Sequence, residues 1–241
     1  MAPYGLNVIN SCLTCTLRED RLFCDLPAKA VAVMESLKTS ALYPKGAFLC
    51  LEGQAARGIY ILCNGRAKIS AGDSEGKTVI LAIAAPGEVL GLSAVISGKP
   101  YEVSVETLEP TQANFISRND FMDFLSTFPE VGMKVARQLT HTCQSAFQEI
   151  RSLGLSHSVP ERLAQLLLQW TNDKYFARKR NAGHAVLKVV CTQEEIAQMI
   201  GTSRETVSRT LSEFKRNGVL QIKGATWTVP DLAALQRRAR L

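Results

Sequence analysis

The 241-residue sequence predicts an α+β chain built from an N-terminal β-roll, a long helix and a C-terminal winged helix-turn-helix. Three observations carry this. Short β-prone runs broken by glycine fill residues 42–116, a helical apolar seam follows from Arg118, and residues 192–229 present a cap, a turn and a wing in order. The expected divisions are 1–27 for a cysteine-containing arm, 28–127 for the roll, 128–158 for a dimerisation helix and 159–241 for the helix-turn-helix domain.

Composition narrows the class. An apolar fraction of 46% is ordinary for a globular chain. "MAPYGLNVIN" has neither the basic nor the apolar region of a signal peptide. The most apolar run, "TVILAIAAPGEVLGLSAVI", is cut by Pro86, Gly87 and Glu88, so no membrane span is expected. Seven cysteines, odd in number and unevenly spaced, do not make a secreted disulfide framework, and the expected compartment is the cytoplasm. Residues 1–150 hold 13 Lys and Arg against 15 Asp and Glu, whereas residues 151–241 hold 15 against 7. The C-terminal part is therefore the one expected to meet a polyanion.

In the roll, "AFLCLEG", "GIYILCNGRAKIS", "TVILAIA", "YEVSVETL" and "QANFIS" read as strands, with Gly- or Asp-bearing turns between them. No helix-length run interrupts them, which disfavours a parallel βαβ sheet. From Arg118 the sequence is helical. Val135, Leu139, Cys143, Ala146, Ile150 and Leu153 recur in steps of four and three, an a/d seam that a second copy of the chain would cover, with Phe147 beside it. Gly154 and Pro160 are expected to end or bend that helix. "ERLAQLLLQWTND" then reads as an amphipathic helix, "KYFARKRNAGHA" as a basic loop and "VLKVVC" as a strand.

The segment "TQEEIAQMIGTSRETVSRTLSEFKRNGVLQIKGATWTV" carries the chemistry. Thr192 and Glu195 form a capping box, Gly201 supplies the turn, Ser203 caps a second helix, and "VLQIKGATWTV" is the wing. Ile196, Met199, Ile200, Val207, Leu211 and Phe214 are its expected core. The second helix of such a unit enters the major groove of double-stranded DNA. Arg204, Glu205, Ser208 and Arg209 form one exposed stripe suited to reading base edges. Thr192, Thr202, Ser203 and Lys215 are expected to position phosphates.

These features together resemble the CRP/FNR superfamily of bacterial transcription regulators over nearly the whole chain. "GTSRETVSRTL" matches the family's recognition helix, and "EGQAARGIYILCNGRAKI" and "PGEVLGL" are similar to its β-roll signatures. The resemblance implies a cyclic-nucleotide-binding-like jelly roll and a homodimer on an inverted repeat that recruits or blocks RNA polymerase. Arg204, Glu205 and Arg209 match the reading residues of the cyclic-AMP branch, and Glu205, Ser208 and Arg209 those of the FNR branch. A half-site containing TGA is the expectation.

The signal is read from departures. Leu92 stands where cyclic-nucleotide binders of the family carry Glu, and Tyr101 and Glu102 fall where they carry an Arg-Ser pair. A carboxylate repels a phosphate at close range and Lys99 is a poor substitute for a bidentate Arg, so a cyclic nucleotide is not expected. The stretch "NSCLTCTLREDRLFC" instead resembles the cluster-binding arm of the FNR-like branch, to which the chain is assigned. Cys12, Cys15 and Cys24 are the expected ligands of an iron–sulfur cluster, of [4Fe–4S] type, sensing oxygen, nitric oxide or redox state. The fourth ligand is unassigned. The strand position where the FNR branch keeps a distant Cys is Asn114, leaving Cys50, Cys63, Cys143, a carboxylate or an external molecule. Competing readings of the arm are a thiol–disulfide switch, a zinc site or plain packing, and a haem-based or small-molecule sensor on the same fold is a further rival. Phe147 falls where FNR-type sensors carry an acidic residue that splits the dimer on cluster loss, so this dimer is expected to survive without a cluster.

An enzyme is not expected and no catalytic residue is assigned. The Cys12–Cys15 pair lacks the βαβ setting of a thioredoxin-like redox motif, and His141, His157 and His184 lie in separate segments.

Overall fold

The computed structural model describes residues 3–19, 21, 23–155, 158–181 and 183–239. The chain divides into two compact units, 1–146 and 147–241.

In the first unit, Pro27 opens helix α1 (Ala28–Leu37), which turns Ala30, Val31 and Met34 inward. Eight strands follow: β1 (Thr39–Tyr43), β2 (Phe48–Cys50), β3 (Gly58–Asn64), β4 (Ala67–Gly72), β5 (Thr78–Ala84), β6 (Val89–Leu90), β7 (Ser104–Thr107) and β8 (Thr111–Ser117), with helix α2 (Leu92–Ser97) between β6 and β7. They pair antiparallel into two four-stranded sheets, β1-β8-β3-β6 and β2-β7-β4-β5, the architecture of a jelly roll. The roll is the predicted one, with two helices that strand periodicity did not mark: α1, and α2 within the glycine-punctuated region.

Strand β3 is buried on both faces, so its alternating side chains serve two cores. Leu62 points between the sheets with Leu49, Ala67, Leu90, Tyr101 and Val105. Ile59 and Ile61 point outward, into a second apolar cluster shared with Phe23 and Cys24 of the arm and Val31 and Met34 of α1. Phe121 and Phe124 of α3 (Arg118–Thr127), capped by Ser117, complete that cluster together with Val131 and Val135. The arm is therefore packed into the roll and does not trail from it.

Helix α4 (Pro129–Leu155) begins on a proline, which needs no amide partner at a helix start. Gly154 lies within it, so the stop expected there falls after Leu155. Two members of the predicted seam are corrected. Val135 is 4% exposed and Leu139 half-buried against the same cluster, because the first turns of α4 serve the roll's own core. Cys143, Ala146, Phe147 and Ile150 are exposed, the last two at 61% and 65%. The side chain of Leu153 lies outside the described residues. An exposed apolar stripe does exist on α4 at steps of four and three, but it runs through Cys143, Phe147 and Ile150.

The second unit is built on α5 (Val159–Asn172), capped by Ser158, whose Trp170 stacks on Phe176 at 4.7 Å and meets Trp227 edge-on. The basic "loop" is corrected in part: it carries β9 (Ala177–Arg180), which pairs with β10 (Ala185–Lys188), the strand read in "VLKVVC", extending the wing strands into a four-stranded sheet. A C-terminal helix, α8 (Leu232–Ala239), was also unmarked by sequence.

Candidate nucleic-acid interface and cysteine cavity

The helix-turn-helix forms as its local sequence dictates. Thr192 caps α6 (Gln193–Ile200) in a full capping box: its hydroxyl accepts from the Glu195 amide, and the Glu195 carboxylate accepts from the Thr192 amide at 2.7 Å. Gly201 takes the left-handed conformation (φ 62°, ψ 53°), which a side chain resists, and this sets the angle to α7 (Arg204–Arg216). Ile196, Ile200, Val207, Leu211 and Phe214 are buried between the helices, with Met199 7% exposed. Arg162 of α5 donates to the Ile200 carbonyl at 2.8 Å, fixing the end of α6. Strands β11 (Gln221–Lys223) and β12 (Thr226–Val229) form the wing, turning at Gly224.

Arg204, Glu205, Ser208 and Arg209 are all exposed and line one open concavity, joined by Gln193 and Ser212, which sequence reasoning did not select. Ser212 lies one turn beyond Ser208, and Gln193 enters from the start of α6. The Glu205 carboxyl is held below its ordinary 4.5 by its own backbone amide and the Ser203 hydroxyl at the helix start, so it is an ionised acceptor. Of the residues expected to position phosphate, Thr192 and Ser203 use their hydroxyls as caps, Thr202 is half-buried in the turn and Lys215 is exposed in the last turn of α7.

The three arm cysteines come together. Cys12, Cys15 and Cys24 line one cavity of about 20 Å³, along with Arg18, Arg21, Ile61, Asn114 and a fourth cysteine, Cys63 of β3. The arm reaches it through successive tight turns, in which Cys15, Arg18 and Arg21 each donate an amide to the carbonyl three residues back. The Cys12 amide donates to Glu35 of α1 at 2.8 Å, and Gln112 of β8 clasps Ile9 by two hydrogen bonds. Arg21, 6% exposed, donates to the Cys63 carbonyl at 2.7 Å. Its stem lies where a Cβ on Gly87 would sit, 2.7–2.8 Å away, and Gly87 has φ +97°, so this turn position admits only glycine.

Burial pushes the Cys12 and Cys63 thiols up to about 12 and Cys24 up to about 11, against partial relief from Lys38 at Cys12 and Arg21 at Cys24. Such thiols are protonated and poor nucleophiles at neutral pH. Among the described residues, no three His, Cys, Asp or Glu converge tightly enough for a single metal ion.

In the roll, the positions where the family resemblance places ribose and phosphate ligands hold two buried residues, Leu92 and Tyr101, and two exposed ones, Ser93 and Glu102. Leu92 is buried, the Tyr101 hydroxyl donates to the Gly58 carbonyl at 2.6 Å, and Ser93 donates to Glu102 at 2.9 Å.

The arm is also tied to α4. Lys134 bonds Asp25, next to Cys24, at 2.7 Å. Gln138, buried, accepts from the Val89 amide and donates to the Val89 carbonyl, completing the free edge of β6.

A jelly roll joined through a long helix to a recognition helix with an exposed reading stripe defines a DNA-binding transcription regulator. Residues 41–128 match the cyclic nucleotide-binding domain and residues 161–238 the Crp-like helix-turn-helix domain. The chain belongs to the CRP/FNR family of transcription regulators, whose members bind DNA, typically as dimers, and are not enzymes. It is 27% identical over 219 residues to the CRP-like cAMP-activated global transcriptional regulator of Mycobacterium tuberculosis, covering 91% of this chain and 96% of that protein. It is 25% identical to the cyclic AMP receptor protein of Thermus thermophilus, covering 90% and 96%. Among solved structures, FixK2 from Bradyrhizobium japonicum matches its fold with a TM-score of 0.72 at 23% identity, covering 83% and 96%. No helix among the described residues is long and apolar enough to cross a membrane.

Proposed function

We propose that this chain is a homodimeric, sequence-specific regulator reading TGA-containing half-sites of an inverted repeat, gated by an iron–sulfur cluster on its N-terminal arm and acting on RNA polymerase. The observation that carries the gating is the meeting of the three arm cysteines at one cavity beneath two arginines. The donor chemistry fits: soft sulfur ligands suit iron–sulfur centres, and Arg18 and Arg21 offset the charge of thiolates. When bound, the cluster supplies iron and sulfide that react with oxygen, nitric oxide or electron donors.

The chain's own residues transmit the change. Asp25 follows Cys24 directly and grips Lys134, and Phe23 and Cys24 share an apolar cluster with Val131 and Val135. Movement of the arm thus repacks the base of α4, the helix through which two recognition helices are set about 34 Å apart for successive major grooves. A cyclic nucleotide is not its effector: Tyr101 and the Ser93–Glu102 pair take the place of phosphate ligands, unlike what the names of the cAMP-activated relatives state for those proteins.

Anaerobic reconstitution with ferrous iron and sulfide, followed by an absorption spectrum and iron analysis, tests this reading. A brown, iron-bearing protein is expected, and a colourless, iron-free one rejects it. Cys15→Ser should keep its fold and non-specific DNA binding while losing the signal response. A response equal to wild type removes the arm from the mechanism.

A further inference from the structure

We propose that Cys63 of β3 is the fourth thiolate of the cluster site, so that the group is held between the arm and the sheet. This rests on the cluster-bearing arm proposed above and supplies the ligand that the arm lacks.

Cys63 lines the same cavity as Cys12, Cys15 and Cys24. The other cysteines lie elsewhere: Cys50 in the core between the sheets, Cys143 exposed on α4, and Cys191 just before α6. The backbone at Cys63 is irregular. The β3–β8 ladder passes from Leu62–Ala113 to Asn64–Gln112 and leaves Cys63 with no residue opposite. Strand alternation sets Cys63 on the outward face shared with Ile59 and Ile61, beside the arm. The bulged residue is also gripped by the arm, since Arg21 donates to its carbonyl. Asn114, the strand position that resemblance singled out, does face the cavity, but it brings an amide, which donates to the Cys12 sulfur at 3.6 Å. The thiolate that β8 lacks is present one strand away, on β3.

The site has a fixed side and a movable side. Cys63 is anchored in a strand buried on both faces, whereas Cys12 and Cys15 sit on a run of tight turns. The enclosed space of about 20 Å³ is room for one water, so holding a four-iron group moves the turns outward from Cys63. That displacement pulls on Arg21 and, through Asp25, on Lys134. Without a thiolate in the sheet, a cluster on three arm cysteines would ride with the arm and exert no such pull.

The full chain is reconstituted anaerobically with ferrous iron and sulfide as wild type, Cys63→Ser, Cys63→Ala and Cys50→Ser. Iron per protomer and the visible spectrum are recorded, with far-UV circular dichroism and Tm as folding controls. Serine retains the donor to the Ile61 carbonyl that the Cys63 thiol makes. Wild type and Cys50→Ser should load fully, and folded Cys63 variants should retain at least roughly tenfold less iron. Wild-type loading in a folded Cys63 variant overturns the assignment while leaving the cluster reading intact. A wild type that takes no iron, or only zinc, overturns both. A chain lacking Cys50, Cys143 and Cys191 gives a second test, independent of how the Cys63 variants fold. It should load fully, and failure to do so overturns the assignment.

Discussion

Arg209 and Glu205 share an exposed stripe, yet their chemistry differs. Arg209→Ala should remove a bidentate base contact, costing about 1–3 kcal/mol and relaxing preference at one half-site position in a binding selection. An unchanged preference would place Arg209 on phosphate. Glu205 is held below its ordinary 4.5, so its carboxylate persists to lower pH than that of a free glutamate. Selections run at pH 8 and pH 5.5 should therefore return the same base opposite Glu205. Gly87 governs the cavity by having no side chain: Gly87→Ala must strain a positive φ and collide with the stem of Arg21. It should lower Tm and loosen the arm, seen as faster amide exchange at Arg21.

Strand β6 is two residues long and would end its sheet with bare backbone, but the Gln138 side chain of α4 takes the place of a further strand. Gln138→Leu leaves two buried peptide groups unpaired at Val89, at about 1–3 kcal/mol each, and should lower the urea midpoint accordingly. The same features show what sequence discloses. Capping, the turn glycine and the apolar positions of α6 and α7 lie within a few residues of one another, and each was readable from local spacing. The β-roll strands were readable for the same reason. Cys63 was not, because its approach to the arm depends on the arm packing back onto the outer face of β3, a long-range contact no local pattern marks. Val135 was misplaced on the dimer seam because helical periodicity shows that a face is buried without saying what buries it. Strand β9 was missed because its charged residues are exposed on an edge strand, where polarity mimics a loop.

For the whole molecule, the exposed apolar stripe of α4 is the surface proposed to meet a second copy. Burying Phe147 in both copies stabilises a symmetric pair by about 3–6 kcal/mol, so Phe147→Asp should weaken dimerisation by roughly a hundredfold or more. Sedimentation should find cluster-free wild type dimeric at micromolar concentration and the variant monomeric. A monomeric wild type would place the dimer contact elsewhere or make it depend on the cluster. The arm has a different bearing on the molecule. Phe23 is wholly buried, and the arm's residues share a core with α1, α3 and α4. Arm and scaffold are thus one folding unit: trimming the first two dozen residues would open the jelly roll's own core. Exchanging this arm for another would mean transplanting α1, the outer face of β3 and the foot of α4 along with it.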